Sequence, residues 1–177
     1  MRASKTKTGE INREEDEQDT SADVFELLKT DHRHVQELFG KFEDADKRDQ
    51  AAIADETLTA LEVHTALEEE LVYPAINDVI DEEDLIHEAK EEHHVATLLI
   101  KELRKMDVGD DGFATKFKVL GELVGHHIEE EEGELFPQAE EGGLDATELG
   151  QEVQSRKEKL MQKHEGKKSG ARRKKAA

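Results

Sequence analysis

His64-Thr65-Ala66-Leu67-Glu68-Glu69-Glu70-Leu71-Val72-Tyr73-Pro74 is the stretch on which the fold turns. A second copy, His127-Ile128-Glu129-Glu130-Glu131-Glu132-Gly133-Glu134-Leu135-Phe136-Pro137, follows 63 residues later. Both copies place a Glu four residues after the His, an aromatic at nine and a proline at ten. On a helix, positions four apart share a face, with Cβ atoms about 5–6 Å apart. Each copy therefore presents an imidazole beside a carboxylate, and two such pairs facing each other suggest a metal site.

Working outward, apolar residues recur at helical spacing on both sides of each copy. Val24, Leu27, Leu28, Val35, Leu38, Phe39 and Phe42 predict a first helix to about Glu43, capped by Ser21 or Asp23. A second helix runs from about Asp49 to Val72, where Pro74 is expected to stop or kink it. A third, capped by Asp81, continues to about Met106, and a loop at Asp107–Gly112 leads into a fourth from about Phe113 to Leu135, ended by Pro137. Asp145 is placed to cap a shorter fifth helix through about Lys163. Four long helices with short connections predict an all-α, up-down-up-down four-helix bundle. The expected organisation is a disordered tail over residues 1–21, the bundle over 22–141, a helical extension over 142–165 and a basic disordered tail over 166–177.

Composition removes several functional classes. The chain has no cysteine, which excludes disulfides, zinc ribbons, iron–sulfur clusters and thiol catalysis. Its N-terminus is polar and no apolar run reaches the roughly 20 residues that span a bilayer, so a soluble cytoplasmic protein is expected, with no membrane partner. From Glu152 to Ala177 the net charge is +7, which leaves −27 for the remainder of a chain whose total is −20. So acidic a body disfavours nucleic acid, whose binding rests on phosphate neutralisation. The basic tail suits an acidic partner, including the body of its own chain.

Of nine histidines, four fall at matching places in the four helices: His32, His64, His93 and His127. Val35, Phe39 and Phe42 follow His32 at the offsets at which Ala96, Ile100 and Leu103 follow His93, so the chain reads as a duplicated helical hairpin. In the doublets, His93 shares its face with Ala96, Ile100 and Leu103, and His127 lines up with Leu120, Leu123, Val124 and Glu131; His94 lines up with Leu98 and Lys101, and His126 with Val119 and Glu122, so His93 and His127 are taken as the inward residues. His34, His87 and His164 sit among charged neighbours and are expected at the surface. Singly, a histidine on an apolar face is more often a hydrogen-bonded core residue than a ligand, and a glutamate run is more often a solvated face. Two copies at equal distance from a proline, joined by two matched single histidines, outweigh that. Burying Glu68 and Glu131 without a compensating charge is costly, and a dication supplies one. Four imidazoles and two carboxylates suit iron, manganese or zinc better than copper(I). Six ligands exceed one tetrahedral site and fit two metals roughly 3.5–4 Å apart. Iron is preferred, because mixed nitrogen and oxygen ligation with open positions suits oxygen chemistry. A ferritin-like site needs Glu-x-x-His on two helices, and only Glu91-x-x-His94 fits, pointing away from the assigned core.

The ordered set Asp31-His32, His64-x-x-x-Glu68-Glu69 ending in Tyr73-Pro74, Glu92-His93, and His127-x-x-x-Glu131-Glu132 ending in Phe136-Pro137 resembles the hemerythrin-like HHE cation-binding family. The resemblance covers about residues 24–140. It implies a hemerythrin-like bundle around two non-haem iron ions, manganese or zinc being less favoured, with an oxo or hydroxo bridge. It implies His32, His64, Glu68, His93, His127 and Glu131 as metal ligands, with Glu68 and Glu131 bridging. The oxygen carriers of that family have His-x-x-x-His on the third helix, where this chain has Thr97 four residues after His93. They end in His-x-x-x-x-Asp, where this chain has Glu131 and Glu132. These departures favour sensing or scavenging of oxygen, peroxide or nitric oxide, or iron handling, over reversible oxygen carriage. Two alternatives stand beside that expectation. One is a diiron peroxidase- or catalase-like enzyme, for which no separate acid–base group is visible in the sequence. The other is an interaction protein acting through its basic tail.

Overall fold

The structure, a computed structural model, describes residues 23–175; the tail expected over residues 1–21 lies outside them. Among the described residues there is no strand, and no helix is long and apolar enough to cross a membrane. Helix α1 (Val24–Asp44) starts at Asp23, whose carboxylate accepts from the backbone N–H of Phe25 at 2.8 Å and Glu26 at 3.2 Å. Such a cap satisfies donors that the first turn leaves without helical partners. Asp46 does the same for α2 (Lys47–Leu67), so the second helix starts before the expected Asp49 and the connection is shorter than expected. α3 (Tyr73–Asn77) is a short continuation of α2, and α4 (Glu83–Leu103) follows it. α4 begins after Glu82 with no side-chain cap, so Asp81 does not play the part expected of it, and its last turn ends three residues before Met106. Gly112, at φ 88°, makes the left-handed turn into α5 (Phe113–Glu130) at little steric cost. α6 (Phe136–Glu141) continues α5, and Asp145 caps α7 (Ala146–Lys175) by accepting from Glu148 N–H at 3.0 Å.

Neither proline stops its helix. A π-helical turn, Glu68–Val72, precedes Tyr73-Pro74, and another, Glu131–Leu135, precedes Phe136-Pro137. Proline lacks the N–H of the helical ladder, and its ring collides with the carbonyl four residues back. The inserted residue of a π turn moves that carbonyl aside, so the chain continues as helix. The backbone N–H of Tyr73 bonds to Glu68 O, five residues back, and that of Phe136 bonds to Glu131 O in the same way. The wider turn also puts Tyr73 on the face that carries Glu68. An ideal 3.6-residue helix would rotate it well off that face.

Two apolar clusters fill the interior with a polar layer between them. At one end Phe25, Leu28, Leu67, Ile76, Phe136 and Val153 are buried together. At the other end are Val35, Phe42, Leu61, Ile100, Phe117 and Leu120. There Phe117 packs against Phe42 and Phe39 at centroid distances of 4.2 and 4.9 Å, tilted ring contacts that add to burial. Gly121 lets α5 pass Phe39, since a Cβ there would lie 3.0 Å from its ring. Between the clusters lie His32, His64, Glu68, His93, His127 and Glu131, all buried.

α7 lies against α1, α2 and the first π turn, burying Leu149, Val153 and Leu160. Its backbone is helical to Lys175, past Lys163 and into the segment where the basic tail was expected. Lysine, arginine and alanine are good helix formers, and extending a formed helix avoids a new nucleation step.

Phe117→Ala removes a buried ring remote from the polar layer. It is expected to lower unfolding free energy by about 3–5 kcal/mol, read as a lower denaturant midpoint, with metal content unchanged.

Candidate metal centre

The structure brings all six sequence-predicted residues into one buried cluster. α1 supplies His32, the last turn of α2 His64, α4 His93 and the last turn of α5 His127. Glu68 and Glu131 are the first residues of the two π turns. Of the histidines set aside, His34, His87, His94 and His126 are exposed. His164 is not: it is half-buried, with Nδ1 3.9 Å from a carboxylate oxygen of Glu62. Packing of α7 on α2 turns that side chain inward, which local charge does not reveal.

The imidazoles form two pairs. His32 Nε2 lies 3.0 Å from His64 Nε2, and His93 Nε2 lies 3.0 Å from His127 Nε2. Two nitrogens bound at right angles to one ion, each about 2.1 Å from it, sit roughly 3.0 Å apart. Glu68 spans the pairs: Oε1 is 3.1 Å from His64 Nε2, and Oε2 is 3.3 Å from His93 Nε2. Glu131 spans them with one atom, its Oε2 being 3.4 Å from both His32 Nε2 and His127 Nε2. Ligating atoms of His32, His64, Glu68 and Glu131 fall within 4.8 Å of one another, as do those of Glu68, His93 and His127. Both oxygens of Glu68 and Oε2 of Glu131 are buried without a hydrogen-bond partner. A buried carboxylate left unsatisfied costs far more than one in water. Two cations between the imidazole pairs would satisfy these oxygens, so the donor set fits a two-metal group.

Each imidazole also faces a carboxylate with its outer nitrogen. His32 Nδ1–H donates to Glu132 Oε1 at 2.7 Å, and His127 Nδ1–H donates to Glu92 Oε2 at 2.8 Å. His93 Nδ1 is 3.4 Å from Glu69, and His64 Nδ1 is 3.8 Å from Asp31. A carboxylate at Nδ1 fixes the tautomer that aims the Nε2 lone pair into the cluster and raises the ring's basicity. These four acids were in the motif but had no assigned role. The signal was available: an acid precedes each single histidine, and a second Glu follows each inward one.

Tyr73 is the other residue that the sequence undervalued. A regular 3.6-residue pitch puts it about a turn and a half beyond Glu68, but its phenol donates to Glu131 Oε1 at 2.8 Å. The Tyr73 hydroxyl oxygen lies 3.3 Å from His93 Nε2, and the ring stacks on His93 at 5.5 Å. Phe136 takes the matching place over His32, at 6.0 Å, and has no hydroxyl to offer. Burial pushes the Tyr73 phenol well above its ordinary range, and the carboxylates of Glu68 and Glu131 push it the same way. Tyr73 therefore stays a neutral donor.

Burial alone would lower the pKa of His64, but the Glu68 carboxylate, Asp31 and Glu131 outweigh it and raise it to about 10. Glu68 is held well below the carboxylate range: burial opposes this, and the His64 charge overcomes it. In the metal-free chain His64 thus carries a proton where a cation would sit. Its contribution to stability is full below the unfolded value of 6.5 and is lost as pH rises to about 10. Metal uptake at pH 7 is expected to release at least about one proton per chain, measured with an indicator dye in weak buffer. Apparent affinity should rise about tenfold per pH unit for each proton released; uptake without proton release would contradict the assignment.

The profile of the hemerythrin HHE cation binding domain family matches residues 23–139. No curated protein matches the chain. Among solved structures, a hemerythrin HHE cation binding domain-containing protein, the Rv2633c homolog from Mycobacterium kansasii, superposes with a TM-score of 0.68 at 25% identity. That match covers 78% of this chain and 87% of the other. With the buried His–Glu layer already placed inside the matched span, these matches show that the chain belongs to the hemerythrin HHE cation-binding family.

Proposed function

We propose that this chain is a non-haem diiron protein that binds or senses oxygen, peroxide or nitric oxide, with His32, His64, Glu68, His93, His127 and Glu131 as its ligands. The observation that carries this reading is Glu68, whose two unpartnered oxygens face one imidazole of each pair. A carboxylate so placed suits a bridge between two cations. Bound iron would supply redox chemistry and positions at which a small ligand could attach. The protein residues then have separable tasks. Glu132 and Glu92 hold two of the rings in their tautomers, and the apolar clusters exclude water on both sides.

The space available supports a small ligand. A cavity of about 20 Å³ abuts His64, His93 and His127, walled by Val35, Leu61, Ala96, Leu123, Val124 and Ile128. That is enough for one water-sized molecule and too little for an organic substrate. Thr97, half-buried, stands where an oxygen carrier's further histidine would be, and its hydroxyl is a poor replacement for an imidazole.

Tyr73 favours a second reading, peroxidase- or catalase-like turnover. Such a reaction needs a proton donor at the centre, and the neutral phenol on Glu131 is one.

Purified protein is expected to hold about two iron ions per chain. Glu68→Gln should reduce that to one or fewer with helix content retained by circular dichroism. Metal content unchanged in Glu68→Gln would sink the assignment. For turnover, Tyr73→Phe should keep both ions and consume peroxide at least about tenfold more slowly; equal rates would leave binding or sensing alone.

A further inference from the structure

We infer that Glu92, His126 and Glu130 form an outer site for a divalent transition-metal cation, and that iron is captured there on its way to the buried centre. The outer site stands on its own geometry; its part in loading rests on the two-metal reading above.

The cluster joins two helices. His126 and Glu130 stand four apart on α5, with His126 Nε2 3.2 Å from Glu130 Oε1. Glu92 reaches them from α4, and one ligating atom of each of the three lies within 4.8 Å of the others, close enough to share one ion. Other carboxylates on the surface of this chain are matched with bases: Glu62 with Arg104, Glu70 with Arg156, Glu102 with Lys116 and Glu122 with Lys118. Among the described residues no lysine or arginine is ion-paired with Glu92 or Glu130. Carboxylates alone would suit magnesium or calcium; the imidazole of His126 shifts the preference to iron or zinc.

One hairpin alone carries these residues. The matching positions of the other are Asp31, Val63 and Leu67. Val63 and Leu67 are buried in the cluster that also holds Leu149, Val153 and Leu160 of α7. Helix α7 packs against α1 and α2, so the equivalent place there is apolar and covered.

Glu92 links the outer site to the inner one. It accepts from His127 Nδ1–H at 2.8 Å and lines the small cavity that abuts His64, His93 and His127. Side-chain exposure falls from 62% at His126 through 40% at Glu130 to 15% at Glu92, so the three ligands lead from solvent toward the centre. A chain with a net charge of −20 draws cations to its surface in general, and the imidazole makes this spot selective. Exposed side chains hold an ion weakly, so the outer ion should leave on desalting while the ions of the centre remain.

The test dialyses iron-loaded protein against zinc in excess magnesium, which occupies plain carboxylates. Wild type is expected to bind about one zinc ion per chain beyond its iron. His126→Ala and Glu130→Gln should each lose that ion with helix content unchanged by circular dichroism. His94→Ala, at an exposed histidine outside the cluster, should keep it. In metal-free protein given limiting ferrous iron under argon, the two cluster variants should take up iron about tenfold more slowly, the low end of what local charge adds to an on-rate, and should reach the wild-type iron content. A zinc ion that persists in His126→Ala, or uptake as fast as wild type in both variants, would overturn the inference while leaving the two-metal reading intact. Wild type that takes up no iron would remove the two-metal reading and the loading role with it, and the zinc comparison would still decide the outer site.

Discussion

Two glutamates buried among four imidazoles set the terms for everything else in this fold. Glu68 has both oxygens enclosed without a hydrogen bond and Glu131 has one, inside a bundle whose remaining interior is apolar. No packing gain at a single position offsets an uncompensated buried carboxylate. Positive charge has to be present in that layer, as a proton on His64 when metal is absent and as cations when it is bound. Such a layer costs stability relative to an apolar one, which is the pattern expected where function rather than folding selects the residues.

The duplicated hairpin solves the geometry twice with small, chemically meaningful differences. Each π turn carries its proline without breaking the helix and sets a glutamate at the junction. Each then turns an aromatic toward the centre, a phenol over His93 in one half and a plain ring over His32 in the other. Glu131 consequently has one oxygen fixed by Tyr73 and one free to bridge, while Glu68 has both free. The halves are alike in their ligands and unlike in what surrounds them.

Much of this was legible in the residues. The helices follow from 3.6-residue periodicity, and the inward histidines follow from the company they keep, since Ala96 and Ile100 mark the face of His93. The duplication made weak local signals strong: one His-x-x-x-Glu says little, and two at equal distance from a proline say much. The π turns were not legible, because a periodicity argument assumes the pitch that they break. It was this that misplaced Tyr73 and made Pro74 and Pro137 look like helix ends. The carboxylates at Nδ1 were visible as motif letters, but two of their pairings depend on packing within a hairpin, Asp31 with His64 and Glu92 with His127, and two on the docking of one hairpin against the other, Glu132 with His32 and Glu69 with His93. Lys157 reaching Asp31 joins residues 126 apart and leaves no local trace.

The centre as proposed would hold a pair of cations sharing Glu68 and Glu131, at a spacing open to direct observation. Anomalous scattering at the iron edge from crystals of the iron-loaded protein should show two peaks per chain, roughly 3.5–4 Å apart, one beside His32 and His64 and the other beside His93 and His127. A single peak, or peaks only at surface carboxylates with the buried layer empty, would contradict the account.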